Sequence, residues 1–421
     1  MMNAKQILLF LPRRQSGRIL LTRHIMHNLT KIKVFRALLW LTYPLALLFI
    51  YPFALLKKRN SSPFFFFLDR YSIGGAQRIH LDILASISNI HKQLYFTRLS
   101  VDKNLKDVFY ATPNAEIKDI HTWCDNLFFR LFTVHFYTFY VNRHEKAHIF
   151  SSNSTFFYDM LPFFSKHVIK TELLHNFTHG KNGMEFFGLS NVKYLNYRIV
   201  YDNFTLANIK KQYEEYHVDP AMLERIRFIE PGVLIPSTPH KQFKYPLKVL
   251  YAGRGGPQKR IPLLDKIADH CLKQNNLLEF HFAGPMMDEL SDYVKQHSVF
   301  HGQISRQEDM YALYNQCHII LMTSAYEGFP MLIKEGMACG CIPVVTDLVG
   351  NKTHLQHMKN GLLIDNFENE GDVVKNGIAN LEMLRNDLAL TEALSERAYK
   401  YAREHFDREN FLKAYRDFFL S

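Results

Sequence analysis

Ile319-Ile-Leu-Met-Thr-Ser-Ala-Tyr-Glu-Gly-Phe-Pro-Met-Leu-Ile-Lys-Glu-Gly-Met-Ala-Cys-Gly-Cys-Ile-Pro-Val-Val345 is the stretch on which the fold turns. Ile319 to Met322 is an apolar run of the length of a buried strand, and a polar turn follows it. Pro330 reads as the first helical position, where its missing N–H costs no hydrogen bond. The pattern predicts a helix of about three turns ending at Gly340, a residue suited to the left-handed geometry of a helix end. Ile342 to Val345 reads as a second buried strand. The unit is strand, loop, helix, strand, as in a parallel α/β sheet.

Two carboxylates, Glu327 in the loop and Glu335 on the helix, lie eight residues apart. Between them the backbone N–H groups from Gly328 to Leu332 are donors at the positive end of a helix dipole, a setting that suits a phosphate. Gly328 removes a side chain where a ligand would approach the backbone. Taken by itself the spacing favours a plainer reading, in which both glutamates are dipole partners of the helix.

Working outward, Lys248-Val-Leu-Tyr-Ala-Gly-Arg254 is a strand ending in Gly-Arg, and Lys259 follows five residues later at a helix start. A planar guanidinium fork and an ammonium point charge together suit a diphosphate. Two cations at a helix start are unfavourable unless an anion binds there. Phe64 to Leu68 reads as the first central strand. The segment Asp69-Arg-Tyr-Ser-Ile-Gly-Gly-Ala-Gln-Arg78 then sets Gly74 and Gly75 between that strand and a helix over Ile79 to Ile87. Such a glycine pair lets backbone amides approach a ligand. Val168 to Leu174 reads as a strand ending at His175, and ligands gather at strand ends of α/β sheets. His179 is a rival on sequence grounds, and a solvated loop histidine is the plain reading of either.

The segment Glu327 to Glu335 with Gly-Met-Ala-Cys-Gly-Cys-Ile-Pro-Val-Val after it resembles the signature of the family 4 glycosyltransferases, which are retaining, nucleotide-sugar-dependent enzymes of the GT-B fold. Gly336 and Cys341 depart from that pattern. Gly253-Arg254 with Lys259 is similar to the family's diphosphate-binding motif, and Gly74-Gly75-Ala76 to its loop beside the donor phosphates. His175 matches its strand-end His, although Asn176 replaces the usual Asp. The resemblance implies that Gly328, Phe329, Pro330 and Met331 line the donor phosphates and that Glu335 meets the ribose. It also implies that His175 and Glu327 attend the donor sugar as the catalytic residues. It covers about Phe64 to the C-terminus.

A chain of 421 residues suggests two domains. The formal charge of +11 points to a polyanion or an acidic membrane surface; no zinc-ligand spacing or basic recognition helix supports nucleic acid. Five cysteines without a CxxC pair read as reduced, buried thiols. Ala37 to Leu56 is a twenty-residue run without a charge, long enough to cross a bilayer as a helix. Arg13, Arg14, Arg18, Arg23, Lys31, Lys33 and Arg36 precede it, and Lys57, Lys58 and Arg59 follow. Pro44 and Pro52 favour a re-entrant or in-plane anchor over a single span, and a buried core helix is the alternative. Asn126 to Val141, rich in Phe and Tyr, reads as a core helix, with a lipid-facing helix as its alternative.

The fold expected is GT-B, two Rossmann-like α/β domains facing a central cleft, with an N-terminal membrane-associated helix. The boundaries are 1–60 for the basic and apolar segment, 61–235 for the acceptor domain, 236–400 for the nucleotide-sugar domain and 401–421 for a terminal helix packing back on the first domain. The reading is a retaining, metal-independent hexosyltransferase at the cytoplasmic face of a membrane. It uses a nucleotide-diphosphate sugar as co-substrate and no cofactor. Its acceptor is a saccharide or lipid-linked molecule, as in cell-surface polysaccharide or glycolipid synthesis. An epimerase or phosphorylase on the same fold, or a non-catalytic membrane adaptor, are the alternatives.

Overall fold

The computed structural model describes residues 17–59, 63–72, 74–100, 103–175, 177, 183–237, 241–274 and 277–421, with side chains from residue 33 onward. The Asn60-Ser61-Ser62 linker, His179 and the side chains of the basic residues up to Lys31 lie outside the described set. The described chain forms two sheets. The first has β1 (Phe64–Leu68), β2 (Lys92–Phe96), β3 (Ala115–Asp119), β4 (His148–Ser152), β5 (Ile169–Leu173), β6 (Tyr197–Val200) and β7 (Ile226–Phe228), in the order β3-β2-β1-β4-β5-β6-β7. The second has β8 (Leu247–Ala252), β9 (Leu278–Ala283), β10 (Val299–Phe300), β11 (Ile319–Met322), β12 (Ile342–Thr346) and β13 (Leu362–Ile364), in the order β10-β9-β8-β11-β12-β13.

Each sheet is built around a strand that sequence alone picks out. β1 is buried along its whole length and pairs in parallel with β2 and β4, Phe66 lying opposite Leu94 and Phe150. A strand apolar on both faces is what a parallel sheet covered on two sides requires. β11 lies in parallel between β8 and β12, with Ile320 opposite Leu250 and Pro343. The chain divides into two compact units: residues 1–70, 91–99 and 116–197, and residues 71–90, 100–115 and 198–421.

In the first unit α1 (Gly17–Phe49) runs into α2 (Tyr51–Leu56). Phe35 and Leu39 of α1 enter the core formed by Phe65, Phe67, Tyr95 and Tyr140, while Ala46 and Ala54 pack on Phe139. Among the described residues no helix is long and apolar enough to cross a membrane. The helix Leu127–Asn142 is a core helix only in its second half. Thr133 to Val141 are largely buried, whereas Leu127, Phe128, Phe129 and Phe132 are exposed. In the first turns Leu131 packs partly on the core and Arg130 reaches inward, its Nη2 2.7 Å from the buried carboxylate of Asp159.

In the second unit α3 (Gly75–Ser86) packs against the C-terminal helix Arg408–Leu420 through Arg408 and Asp82, 2.7 Å apart. The core of this unit gathers Val249, Phe280, Ile319 and Val344 under Leu264 and Ile267 of helix Ile261–Gln274. All five cysteines are unpaired and buried.

Candidate functional site

The helix after β11 is shorter than its sequence suggests. It spans Met331–Ala338, eight residues, with Pro330 as its N-cap rather than its first helical residue. It ends at Cys339, and Gly340 follows at φ +74°, the left-handed conformation expected of it. Gly336 is explained by packing: a Cβ there would lie 1.9 Å from Ile320 Cδ1.

The loop before this helix is pressed between two parts of the protein. A Cβ on Gly328 would stand 2.8 Å from the Asp202 carboxyl carbon, and one on Gly350 would stand 1.5 Å from the Gly328 carbonyl oxygen. The glycine thus also leaves room for Asp202, which caps the helix that follows it by accepting from Thr205 N at 2.7 Å. Phe329 is also turned inward, against His354 and Phe406, so only its backbone is available to a ligand. Its N–H, with those of Gly328 and Met331, lies at the helix start, where unpaired donors and the helix dipole favour an anion.

Glu335 is buried on the Met331 helix. It accepts a 2.7 Å hydrogen bond from Tyr314 Oη, and Arg78 Nη1 lies 3.9 Å from its other oxygen. Burial pushes its carboxyl above the usual range, against the pull of that hydrogen bond and of Arg78. Arg78 sits on the first turn of α3 and also donates to the Ser305 carbonyl at 3.3 Å, so it joins the glycine-pair helix to Glu335 and to the loop after β10. Gly74 is the N-cap of α3, and a Cβ on Gly75 would meet nothing within 4 Å.

Lys259 and Glu327 form a close, partly buried ion pair. Their loops are sewn together around it. Gln258 donates to the Tyr326 carbonyl at 3.0 Å, and Arg260 donates to the carbonyls of Thr323 at 2.7 Å and Ser324 at 3.0 Å. Arg254, at the end of β8, is exposed, and its guanidinium makes no hydrogen bond or ion pair with any described residue. Nearby, Lys334 is 2 % exposed and donates to Glu230 at 2.7 Å and to the Pro231 carbonyl at 3.0 Å. His354 contacts the same Glu230 oxygen at 2.9 Å. Burial would raise the Glu230 carboxyl, but these two partners bring it below its ordinary value.

His175 belongs to the first unit, at the carboxyl end of β5. It is buried, and burial pulls its imidazole down to about 3, so it is neutral at ordinary pH. The structure thus brings Lys259 to Glu327 and Arg78 to Glu335, and it adds Arg78, Tyr314, Asp202 and Gly350 to the residues that sequence singled out. Of these only Arg78 carried a signal, as a cation one turn into the helix that opens at Gly74-Gly75.

Residues 238–404 match the family model described as glycosyl transferases, group 1. An uncharacterized glycosyltransferase of Methanocaldococcus jannaschii is 25% identical over 170 residues, 39% of this chain and 42% of that relative. The matched stretch thus spans less than half the length of that relative. Among solved structures, TarM aligns at a TM-score of 0.67 with 15% identity, over 86% of this chain and 99% of its own. S. aureus TarM has been solved with fondaparinux, alpha-GlcNAc-glycerol and UDP. HepE of Anabaena, in complex with UDP-glucose, aligns at 0.64 with 16% identity, over 84% of this chain and 98% of its own. These likenesses establish the fold, two parallel-sheet Rossmann-like domains of the GT-B type.

Proposed function

We propose, from the match of residues 238–404 to the family model described as glycosyl transferases, group 1, that the chain moves a hexosyl group from a nucleoside-diphosphate sugar to an acceptor hydroxyl. The observation that carries this reading is the Lys259–Glu327 ion pair beside an uncommitted Arg254. A diphosphate takes both cations as counterions and draws Lys259 away from Glu327. The freed carboxylate then accepts from a hydroxyl of the donor sugar. The N–H groups of Gly328, Phe329 and Met331 add donors to the phosphates; Pro330 has none to give and fixes the turn. Gly74 and Gly75 offer the start of α3 to the same anion, and Glu335 is assigned to the ribose hydroxyls. His175 keeps the role that the resemblance implies, as a neutral hydrogen-bond partner of the donor sugar.

The transfer retains configuration. The acceptor oxygen bonds to the anomeric carbon on the face from which the diphosphate departs. The acceptor proton passes to the leaving phosphate oxygen, so no side-chain base is required. Arg254 and Lys259 stabilise the charge that grows on that leaving group, a task that would otherwise call for a divalent cation. The UDP and UDP-glucose held by TarM and HepE support a nucleoside-diphosphate hexose as donor. The acceptor is a saccharide or a lipid-linked molecule of cell-surface polysaccharide or glycolipid synthesis. The test is a panel of nucleoside-diphosphate hexoses with saccharide and lipid-linked acceptors in EDTA, with product configuration read by NMR. A product with the anomeric configuration of its donor supports the reading. An inverted product, or donor turnover without any acceptor, contradicts it.

A further inference from the structure

The outer side of the first unit is apolar where water would require the opposite. Of the described α1 and α2 side chains only Phe35, Leu39, Ala46 and Ala54 are buried. These form one inward stripe, yet no charge lies anywhere from Ala37 to Leu56. The remaining surface therefore shows Leu41, Leu45, Leu48 (66 % exposed), Phe53 and Leu56. A helix on a soluble surface carries polar residues on its outer face. The first turns of helix Leu127–Asn142 repeat the anomaly: Phe128 is 63 % exposed, and Leu127 and Phe132 are exposed beside it. Between the two elements lies a groove of about 490 Å³ whose walls include Phe49, Phe53, Trp123, Phe132 and Phe136.

Charge identifies what covers this face. Of 51 Lys and Arg against 40 Asp and Glu in the chain, eleven of the basic residues and none of the acidic ones lie in residues 1–60. The other 361 residues are thus balanced, at 40 of each sign. The whole net charge of +11 belongs to the segment that carries the apolar face. Lys33, Lys58 and Arg59 stand exposed at its two ends. A second copy of the chain would bring like charge against like. An anionic lipid surface satisfies the apolar side chains and the cations together.

We propose that α1, α2 and the first two turns of helix Leu127–Asn142 form a single surface that lies in the plane of an anionic bilayer interface, with the groove between them taking an acyl chain. This surface is independent of the donor site. Because no described helix is long enough and apolar enough to cross, the protein sits on the membrane by this face.

The chain supplies its own reporters, since its two tryptophans, Trp40 on α1 and Trp123 at the groove, are both exposed. The experiment uses the full chain with phosphatidylcholine vesicles or phosphatidylcholine–phosphatidylglycerol vesicles brominated along the acyl chain. Trp40→Phe leaves Trp123 as the sole reporter, and Trp123→Phe leaves Trp40. On the anionic vesicles both reporters are expected to be quenched, Trp123 at least as strongly as Trp40, with binding weaker on phosphatidylcholine alone. Phe128→Glu with Phe132→Glu should lower vesicle partitioning by about tenfold or more, since two aromatic side chains no longer leave water, while UDP binding without vesicles is unchanged. Quenching of Trp40 but not Trp123 would mean that α1 binds alone and would overturn the composite surface. Absence of quenching at both, equal binding to neutral vesicles, or a concentration-dependent dimer that shields Trp123 without binding lipid would overturn it too. UDP binding measured in parallel reports separately on the donor site.

Discussion

Both units enclose histidines that burial pulls down: His135 and His148 to about 4 and His175 to about 3 in the first, His281 and His318 below their ordinary value in the second. They differ in how much charge they enclose. In the second, charges are enclosed together with their counter-charges, Lys334 with Glu230, Lys259 with Glu327, and Glu335 with Tyr314 and Arg78. Arg130 with Asp159 is a close counterpart in the first unit. A neutral imidazole can exchange hydrogen bonds with a sugar but cannot balance phosphate. An ion pair of moderate exposure can open to a stronger anion and close again. The contrast supports the proposal that a nucleotide donor is charge-compensated in the second unit.

Breaking a buried pair should have the largest effect. Glu230→Ala leaves the Lys334 ammonium almost wholly enclosed, with the Pro231 carbonyl and the Phe406 ring, 4.8 Å away, but no carboxylate in hydrogen-bond contact. The expected loss is about 3–5 kcal/mol of unfolding free energy in urea, and a loss below about 1 kcal/mol would mean that the pair is solvated. The neutral histidines give a smaller and pH-dependent effect. A folded pKa below the unfolded one means that the unfolded chain binds more protons, so stability is full above about 6.5 and declines as pH falls toward 4. For His148 this amounts to about 2 kcal/mol at pH 5. The decline between pH 7 and pH 5 should therefore be shallower in His148→Gln by that amount. Parallel pH profiles would show that His148 is not held neutral by burial. Smaller still is Tyr314→Phe, which removes one hydrogen bond from Glu335 and should cost about 1.5 kcal/mol. No change in stability would mean that Glu335 finds another partner.

Strands whose side chains are apolar on both faces were readable as runs, and β1 and β11 fall on the residues expected, Phe64–Leu68 and Ile319–Met322. β2 was not, because Lys92 and Gln93 begin it and yet are fully buried. β3, Ala-Glu-Ile-Lys-Asp119, lies at a sheet edge and offers no apolar run to find. β10, at the edge of the second sheet, is only Val299–Phe300, too short to leave a pattern. At the candidate site the residue types were legible because glycine pairs and cations after strands have a local physical meaning. Their pairing was not. Lys259 and Glu327 are 68 residues apart, and Tyr314 carries no local mark that it faces Glu335. The exposed half of helix Leu127–Asn142 was equally hidden, since an aromatic stripe looks the same whether it meets a core or a lipid.

The central claim is that Arg254 and Lys259 neutralise a donor diphosphate, and calorimetric titration of UDP into the protein in EDTA tests it most directly. Wild type should bind without a divalent cation. Arg254→Ala and Lys259→Ala should each bind about tenfold to a hundredfold more weakly, the loss of one charge-assisted contact being worth about 1.5–3 kcal/mol. Arg254→Ala should do so at unchanged stability, because the guanidinium has no partner among the described residues. Wild-type affinity in both variants, or binding by wild type only after Mg²⁺ or Mn²⁺ is restored, would contradict the account.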